Sequence, residues 1–379
     1  MSAAPVPQSP TEASVPFVDL GPSCRPLNAA ILADVADLLD ATQFHYGPQV
    51  AEFEQRFASF CGTAQCIGMS SGLDALRLTL LGAGIEAGDE VIVPANTFIA
   101  TFAAVRQAGG LPVPVDASEA DYNLDPALAA EAADGRTRFV VPVHLYGQMA
   151  DMRALTKLAE RRDLVVIEDA CQAHGAERDG ERAGAGGAAA AFSFYPSKNL
   201  GAAGDAGATV TSDEDLARRL RALRHHGERE KYHSDVEGYT ARLDTLQAVV
   251  LLHKLPHLDR WTVERRAAAA FYTDALSGVG DLRLPPIPSG STPAWHLYVV
   301  RTAEPEALAD HLTQRGIGSG RHYPEPPHLS RAFSWLGFGP GDFPVAEAIA
   351  AEGLSLPLFP GISEAQLETV AGAVRDYFG

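Results

Sequence analysis

The chain has 379 residues, enough for two or three domains' worth of core, and 46% of them are apolar, which is the composition of a globular protein rather than a disordered one. Lys and Arg number 30 against 48 Asp and Glu, a net charge of -18. With its acids scattered along the chain, such a surface argues against nucleic acid and anionic membranes as partners, and leaves room for a local basic pocket for a phosphorylated substrate.

The N-terminal MSAAPVPQSPTEASVP has neither the basic start nor the apolar centre of a signal peptide, and residues 1–15 read as a disordered leader. No apolar run approaches the roughly 20 residues needed to cross a bilayer. The four cysteines, Cys24, Cys61, Cys66 and Cys171, form no CxxC, and no His or Cys pair at ligand spacing accompanies them. They are expected to be reduced thiols of a cytoplasmic protein, with no metal.

Between about residues 50 and 215 short apolar runs alternate with helical patterns. EVIVP (90–94), LPVPVD (111–116), FVVPVHL (139–145), LVVIEDA (164–170), AAAFSFY (189–195) and GATVTS (207–212) read as strands. LDALRLTLLGAG (73–84) and MRALTKLAERR (152–162) read as helices. Strands apolar on both faces and spaced by helices predict an α/β fold with a mostly parallel sheet, covered on both sides, whose ligands sit at the carboxyl ends of the strands. From residue 213 the pattern turns charged and helical, with a long helix broken near Pro256. WHLYVVR (295–301) then reads as a strand, EPEALADHLTQRG as a helix closing at Gly316, and 364–378 as a final helix. The expected division is a large domain over 16–255 and a smaller C-terminal α/β domain over 256–379.

Four features fall at strand ends or helix starts. Ser70, Ser71 and Gly72 precede a helix beginning near Leu73, a place where free N–H groups and the helix dipole suit a phosphate, although Ser-Gly there is also an ordinary cap. Glu168 and Asp169 end a buried strand, and only one of the two can point along it; such an acid is either a structural ion-pair partner or a carboxylate that keeps a ring nitrogen protonated. Lys198, followed by a loop of small residues, is either an exposed loop lysine or a desolvated amine able to form a Schiff base, and Ser193 adds a hydroxyl nearby. Phe98 is either core or a platform for a flat ring. Taken together, a phosphate cradle, an acid, a lysine and an aromatic fit pyridoxal phosphate.

The stretches EVIVPANTFIAT, PVHLYGQMADM, VIEDACQAHGA, AFSFYPSKNLGAAGDAGA, ARLDTLQAVVL and GIGSGRHYPEPPHL resemble the DegT/StrS-type nucleotide-sugar aminotransferases, over essentially the whole chain from about Pro16. The resemblance implies fold type I of the pyridoxal phosphate enzymes, the aspartate aminotransferase fold. It implies that Lys198 is the Schiff-base lysine, Asp169 the acid facing the pyridine nitrogen, Gln172 the residue near the ring hydroxyl and Phe98 the stacking aromatic. Ser71, Gly72, Leu73 and Ser193 match phosphate-binding positions. It further implies a homodimer, or a dimer of dimers, in which the segment around 225–242 enters the partner's site.

Three positions depart from the family pattern. Leu73 replaces a Thr of the phosphate loop. Thr240 replaces the Asn that reaches the neighbour's phosphate. Arg224-His225-His226-Gly227 stands for the usual Arg-Asn-Tyr-Gly. The motifs look most like enzymes that aminate C3 of dTDP-3-keto-6-deoxyhexoses, using L-glutamate as donor and passing through pyridoxamine phosphate. Members acting on 4-keto sugars vary in the same places, so C3 against C4 stays open. Candidate substrate contacts are His144, Tyr146, Tyr195, Lys231, His233, Arg321 and His322. A dehydratase on this fold carries histidine at the lysine position, so Lys198 counts against it. A regulator that kept the fold is the other rival.

Overall fold

The computed structural model describes residues 15–45 and 47–379. The expected leader lies outside them except for Val15, which is buried and pairs with Ile317 in a parallel bridge rather than belonging to a loose tail.

Seven strands, β1 (Gln65–Met69), β2 (Glu90–Pro94), β3 (Leu111–Val115), β4 (Thr137–Val140), β5 (Val165–Asp169), β6 (Ala189–Ser193) and β7 (Gly207–Thr211), form one sheet in the spatial order β1-β7-β6-β5-β4-β2-β3. All neighbours are parallel except those of β7, which runs antiparallel to both β1 and β6. Six of the seven were legible as apolar runs. The first, QCIGM, was not, because Ile67 is its only β-branched residue. The run at 139–145 pairs regularly only to Val140, since Pro142 has no N–H to offer the ladder.

Helices α1 (Pro48–Cys61), α2 (Gly72–Gly82), α3 (Ile99–Gln107), α4 (Met152–Arg162), α5 (Glu214–Leu223) and α6 (Thr245–Lys254) cover both faces. Strand periodicity decides which residue meets which helix. In β6, Ala190 and Phe192 join Phe53, Phe57, Met152 and Leu251 in one core, while Ala189 and Ala191 join Leu76, Leu80, Phe102 and Leu220 in the other. The break at Pro256 is a 3-10 turn, Leu255–His257, that separates α6 from α7 (Leu258–Leu276). Beyond it, strands β8 (Tyr298–Arg301) and β9 (Gly353–Leu356) pair antiparallel. With α7, α8 (Pro305–Gln314) and α9 (Glu364–Phe378) they enclose a separate core around Tyr272, Leu312 and Val374. Among the described residues no helix is long and apolar enough to cross a membrane.

Candidate active site

The parallel strands end along one edge of the sheet. Because β7 is reversed, its amino end reaches the same edge, and the 194–206 connection carrying Lys198 closes over it. A cleft of about 400 Å³ opens there. It gathers Ser71, Gly72 and Leu73 from the start of α2, Phe98 from the start of α3, Asp169 and Gln172 from the end of β5, and Ser193, Tyr195 and Lys198 from the end of β6 and beyond. His322 reaches it from the C-terminal part of the chain.

At the α2 start, Ser71 is the N-cap, its Oγ accepting from the Asp74 N–H at 3.1 Å. Gly72 is there because two segments meet. A Cβ on it would lie 2.6 Å from the Ser193 Cβ and 2.9 Å from the Cys171 Sγ. Glycine therefore lets the N-terminus of α2 close against the end of β6 at the cleft wall, and a helix N-terminus there suits a phosphate.

The adjacent acids face opposite ways. Glu168 is fully buried, and its two oxygens accept from the N–H groups of Gly184, Gly186 and Gly187 and contact His144 Nε2 at 2.7 Å. Asp169 lines the cleft, with Oδ2 accepting from Thr101 Oγ1 at 2.9 Å and Oδ1 from the Cys171 N–H at 3.2 Å. Lys198 stands in the same cleft. Its amine is pulled below the usual lysine range, chiefly by desolvation, with Cys171 and Asp169 opposing the shift. Phe98 is 49% exposed, far from core, and its ring centroid is 5.1 Å from that of Tyr323. Gln172 is held from two sides, its Oε1 accepting from the Tyr146 N–H at 2.7 Å and its Nε2 donating to Tyr323 Oη at 3.0 Å.

Several candidate substrate contacts lie elsewhere. His144 is fully buried and occupied, Nε2 by Glu168 and Nδ1 by the Ala150 N–H at 3.2 Å, so nothing of it faces the cleft. Tyr146 is also buried, its hydroxyl donating to the His322 carbonyl. Arg321 points away, pairing with Glu306 and donating from Nη2 to the carbonyls of Ala350 at 2.6 Å and Ala351 at 2.9 Å. Lys231, His233 and Thr240 are exposed on the 225–242 segment and do not line the cleft of their own chain. His322 does line it, stacked on Phe17, with Nδ1 2.8 Å from Ser355 Oγ. Burial, then the Lys198 charge, lowers its pKa to about 4.

Thr97, Cys171, Asp205, His296 and Tyr323 also line the cleft but were not singled out in the sequence. Tyr323 and Cys171 adjoin residues that were. His296 was hidden in a run taken for strand, whereas β8 begins only at Tyr298.

These groups suit pyridoxal phosphate: the α2 N-terminus at Ser71 and Gly72 suits a phosphate, Phe98 offers a ring face, Asp169 an acceptor and Lys198 an amine. Comparison with known proteins agrees. A match to the DegT/DnrJ/EryC1/StrS aminotransferase family spans residues 26–375. A dTDP-3-amino-3,4,6-trideoxy-alpha-D-glucose transaminase from Streptomyces venezuelae is 47% identical over 363 residues, 96% of either chain. The crystal structure of S. venezuelae DesV in complex with a ketimine intermediate superposes with a TM-score of 0.94 at 47% identity, covering 96% of this chain and 98% of that one. NtdA from Bacillus subtilis, with bound cofactor PMP, gives a TM-score of 0.90 at 29% identity, covering 97% of this chain and 86% of that one. The chain therefore belongs to the DegT/DnrJ/EryC1/StrS aminotransferase family, has the type I fold of pyridoxal phosphate enzymes, and is a pyridoxal phosphate-dependent aminotransferase.

Proposed function

We propose that the enzyme moves the amino group of L-glutamate to the C3 carbonyl of a dTDP-linked 3-keto-6-deoxy sugar, giving a dTDP-amino sugar for an antibiotic or a cell-surface glycan such as lipopolysaccharide. The observation that carries the chemistry is the convergence of Lys198 and Asp169 on one cleft beside Phe98 and the α2 N-terminus. The C3 assignment is supported by the name of the 47% identical S. venezuelae transaminase.

Bound pyridoxal phosphate supplies an electron sink for cleaving a C–H bond beside nitrogen. The residues do the rest. Gly72 and Ser193 receive the phosphate, Phe98 packs on the ring and Asp169 holds a proton on the ring nitrogen. Lys198 Nζ, once displaced by the amino donor, takes the proton from the donor's Cα and returns it on the cofactor side; desolvation, which lowers its pKa, favours the neutral amine that this role needs. With the keto sugar the same transfers run in reverse.

The working unit in this reading is a homodimer. Among the described cleft residues Lys198 is the only Lys or Arg, whereas a nucleoside diphosphate sugar and glutamate both bring negative charge. The exposed hairpin with Lys231 and His233 is suited to supplying cations to a partner's cleft. A boundary near Pro256, between α6 and α7, and a cytoplasmic location, consistent with four free thiols, complete the proposal.

The test is the absorbance spectrum of the purified protein, followed through addition of glutamate and then dTDP-3-keto-6-deoxyglucose. A cofactor band that shifts with glutamate and returns with the sugar is expected. A shift without return would move the assignment to 4-keto sugars. No band, even with added cofactor, would leave a regulator on an inherited fold.

A further inference from the structure

We infer that Thr101, backed by Thr97, is a positioning residue that sets the charge balance between Asp169 and the cofactor ring; the inference rests on the function proposed above. The main chain of Asp169 is fixed by the sheet edge, its N–H donating to the Pro142 carbonyl at 2.8 Å and its carbonyl accepting from the His144 N–H at 3.0 Å. Neither bond controls the side chain. That is done by Thr101 Oγ1 on Oδ2 and the Cys171 N–H on Oδ1, with the Cys171 thiol, the Lys198 amine and the Tyr323 phenol as the titratable groups that face the carboxylate.

A threonine hydroxyl has one hydrogen. Thr101 gives its hydrogen to the carboxylate, so its 2.8 Å contact with Thr97 Oγ1 is a donation from Thr97. The order Thr97 to Thr101 to Asp169 follows, with Thr101 fully buried and Thr97 at the cleft wall. A hydroxyl that itself accepts a hydrogen bond is a stronger donor in a dry site. The geometry is rigid because Thr101 lies in the first turn of α3, whose N-cap is Phe98. One helix start therefore presents an aromatic face to the cleft and a donor to the acid.

Removing the donor leaves Oδ2 one hydrogen bond short, and the carboxylate then holds the proton it shares with the ring nitrogen more tightly. With cofactor bound, Asp169 would then stabilise positive charge on the ring nitrogen less well, so the group at Lys198 would titrate at higher pH and the cofactor would supply a weaker electron sink.

The experiment is a pH titration of the cofactor band in the holoenzyme and in Thr101→Val, Thr101→Ser and Thr97→Val, with kcat, KM for glutamate and cofactor affinity of the apo form. A hydrogen bond to a charged group corresponds to roughly a ten- to hundredfold effect. Thr101→Val is expected to raise the spectral midpoint by about one pH unit and lower kcat about tenfold or more, with KM for glutamate little changed. Thr101→Ser, which keeps the hydroxyl, restores the wild-type midpoint. Thr97→Val keeps the Thr101 bond, shifts the midpoint in the same direction by less, and serves if Thr101→Val does not fold. A wild-type midpoint in both valine variants would overturn the inference. Absence of any cofactor band in the wild type would instead sink the underlying functional reading.

Discussion

At Gly72 a single methyl group decides whether α2 and β6 can meet. The nearest atoms to an added Cβ are Ser193 Cβ at 2.6 Å, Cys171 Sγ at 2.9 Å and Ser193 Cα at 3.1 Å, so the end of a strand would have to move as well as a side chain. Overpacking of this kind typically costs about 1–3 kcal/mol. Gly72→Ala is therefore expected to weaken cofactor binding about tenfold or more, measured by titrating the apo protein with pyridoxal phosphate. Wild-type affinity would show that the phosphate site lies elsewhere. Lys198 is the second residue-scale case. Its desolvated amine is the only base proposed for the proton transfers, so Lys198→Ala should lower turnover roughly a thousandfold or more while the fold persists. A variant that still turned over normally would place the base on another residue.

At the scale of elements, the turn after β5 turns one side chain towards the cleft and another into the core. Gln172 faces the cleft, whereas His174 is buried among Phe57, Phe192 and Phe194. Burial, assisted by the Lys198 charge, lowers the His174 pKa from 6.5 to about 3. A histidine lowered on folding binds protons first in the unfolded chain. Its contribution is intact above pH 6.5 and is lost as pH falls from there towards the folded value. For His174 the loss between pH 7 and pH 5 is about 2 kcal/mol. His322, lowered to about 4, acts in the same direction. Melting temperatures should fall over this range, and His174→Leu should flatten the dependence. An unchanged slope in that variant would contradict the assignment.

The whole molecule raises the question of where the missing cations come from. If the 225–242 segment serves the partner's cleft, damage to Lys198 and damage to the hairpin reside in different sites of a mixed dimer. A chain carrying Lys198→Ala, co-expressed with one carrying Lys231→Ala and His233→Ala, then forms one intact site per heterodimer. About a quarter of wild-type activity should reappear in a random mixture of the two inactive chains. No recovery would mean that the hairpin acts on its own chain or not at all.

Composition and local pattern were sufficient for the layered fold, because a strand buried on both faces is apolar in consecutive positions, as over 91–94 in β2 and 189–192 in β6. Local pattern also picked out Phe98, Asp169, Ser193 and Lys198, which each fall just past a strand or at a helix start where such places converge at one sheet edge, whereas Gln172 was indicated only by the family resemblance, and Thr97, Asp205, His296 and Tyr323 by neither. Which way each side chain faces was not legible, since that depends on partners far along the chain. Glu168 and Asp169 are chemically alike and adjacent, yet three glycine N–H groups and His144 claim one, and Thr101, 68 residues away, claims the other. The same long-range pairing withdrew His144 and Arg321 from the cleft and set Tyr323 beside Phe98. The sequence by itself determined the architecture and the chemistry available to it; only the tertiary structure decided which of two equivalent groups is spent on folding and which is left for a ligand, because a buried polar group must be satisfied by whatever packs against it.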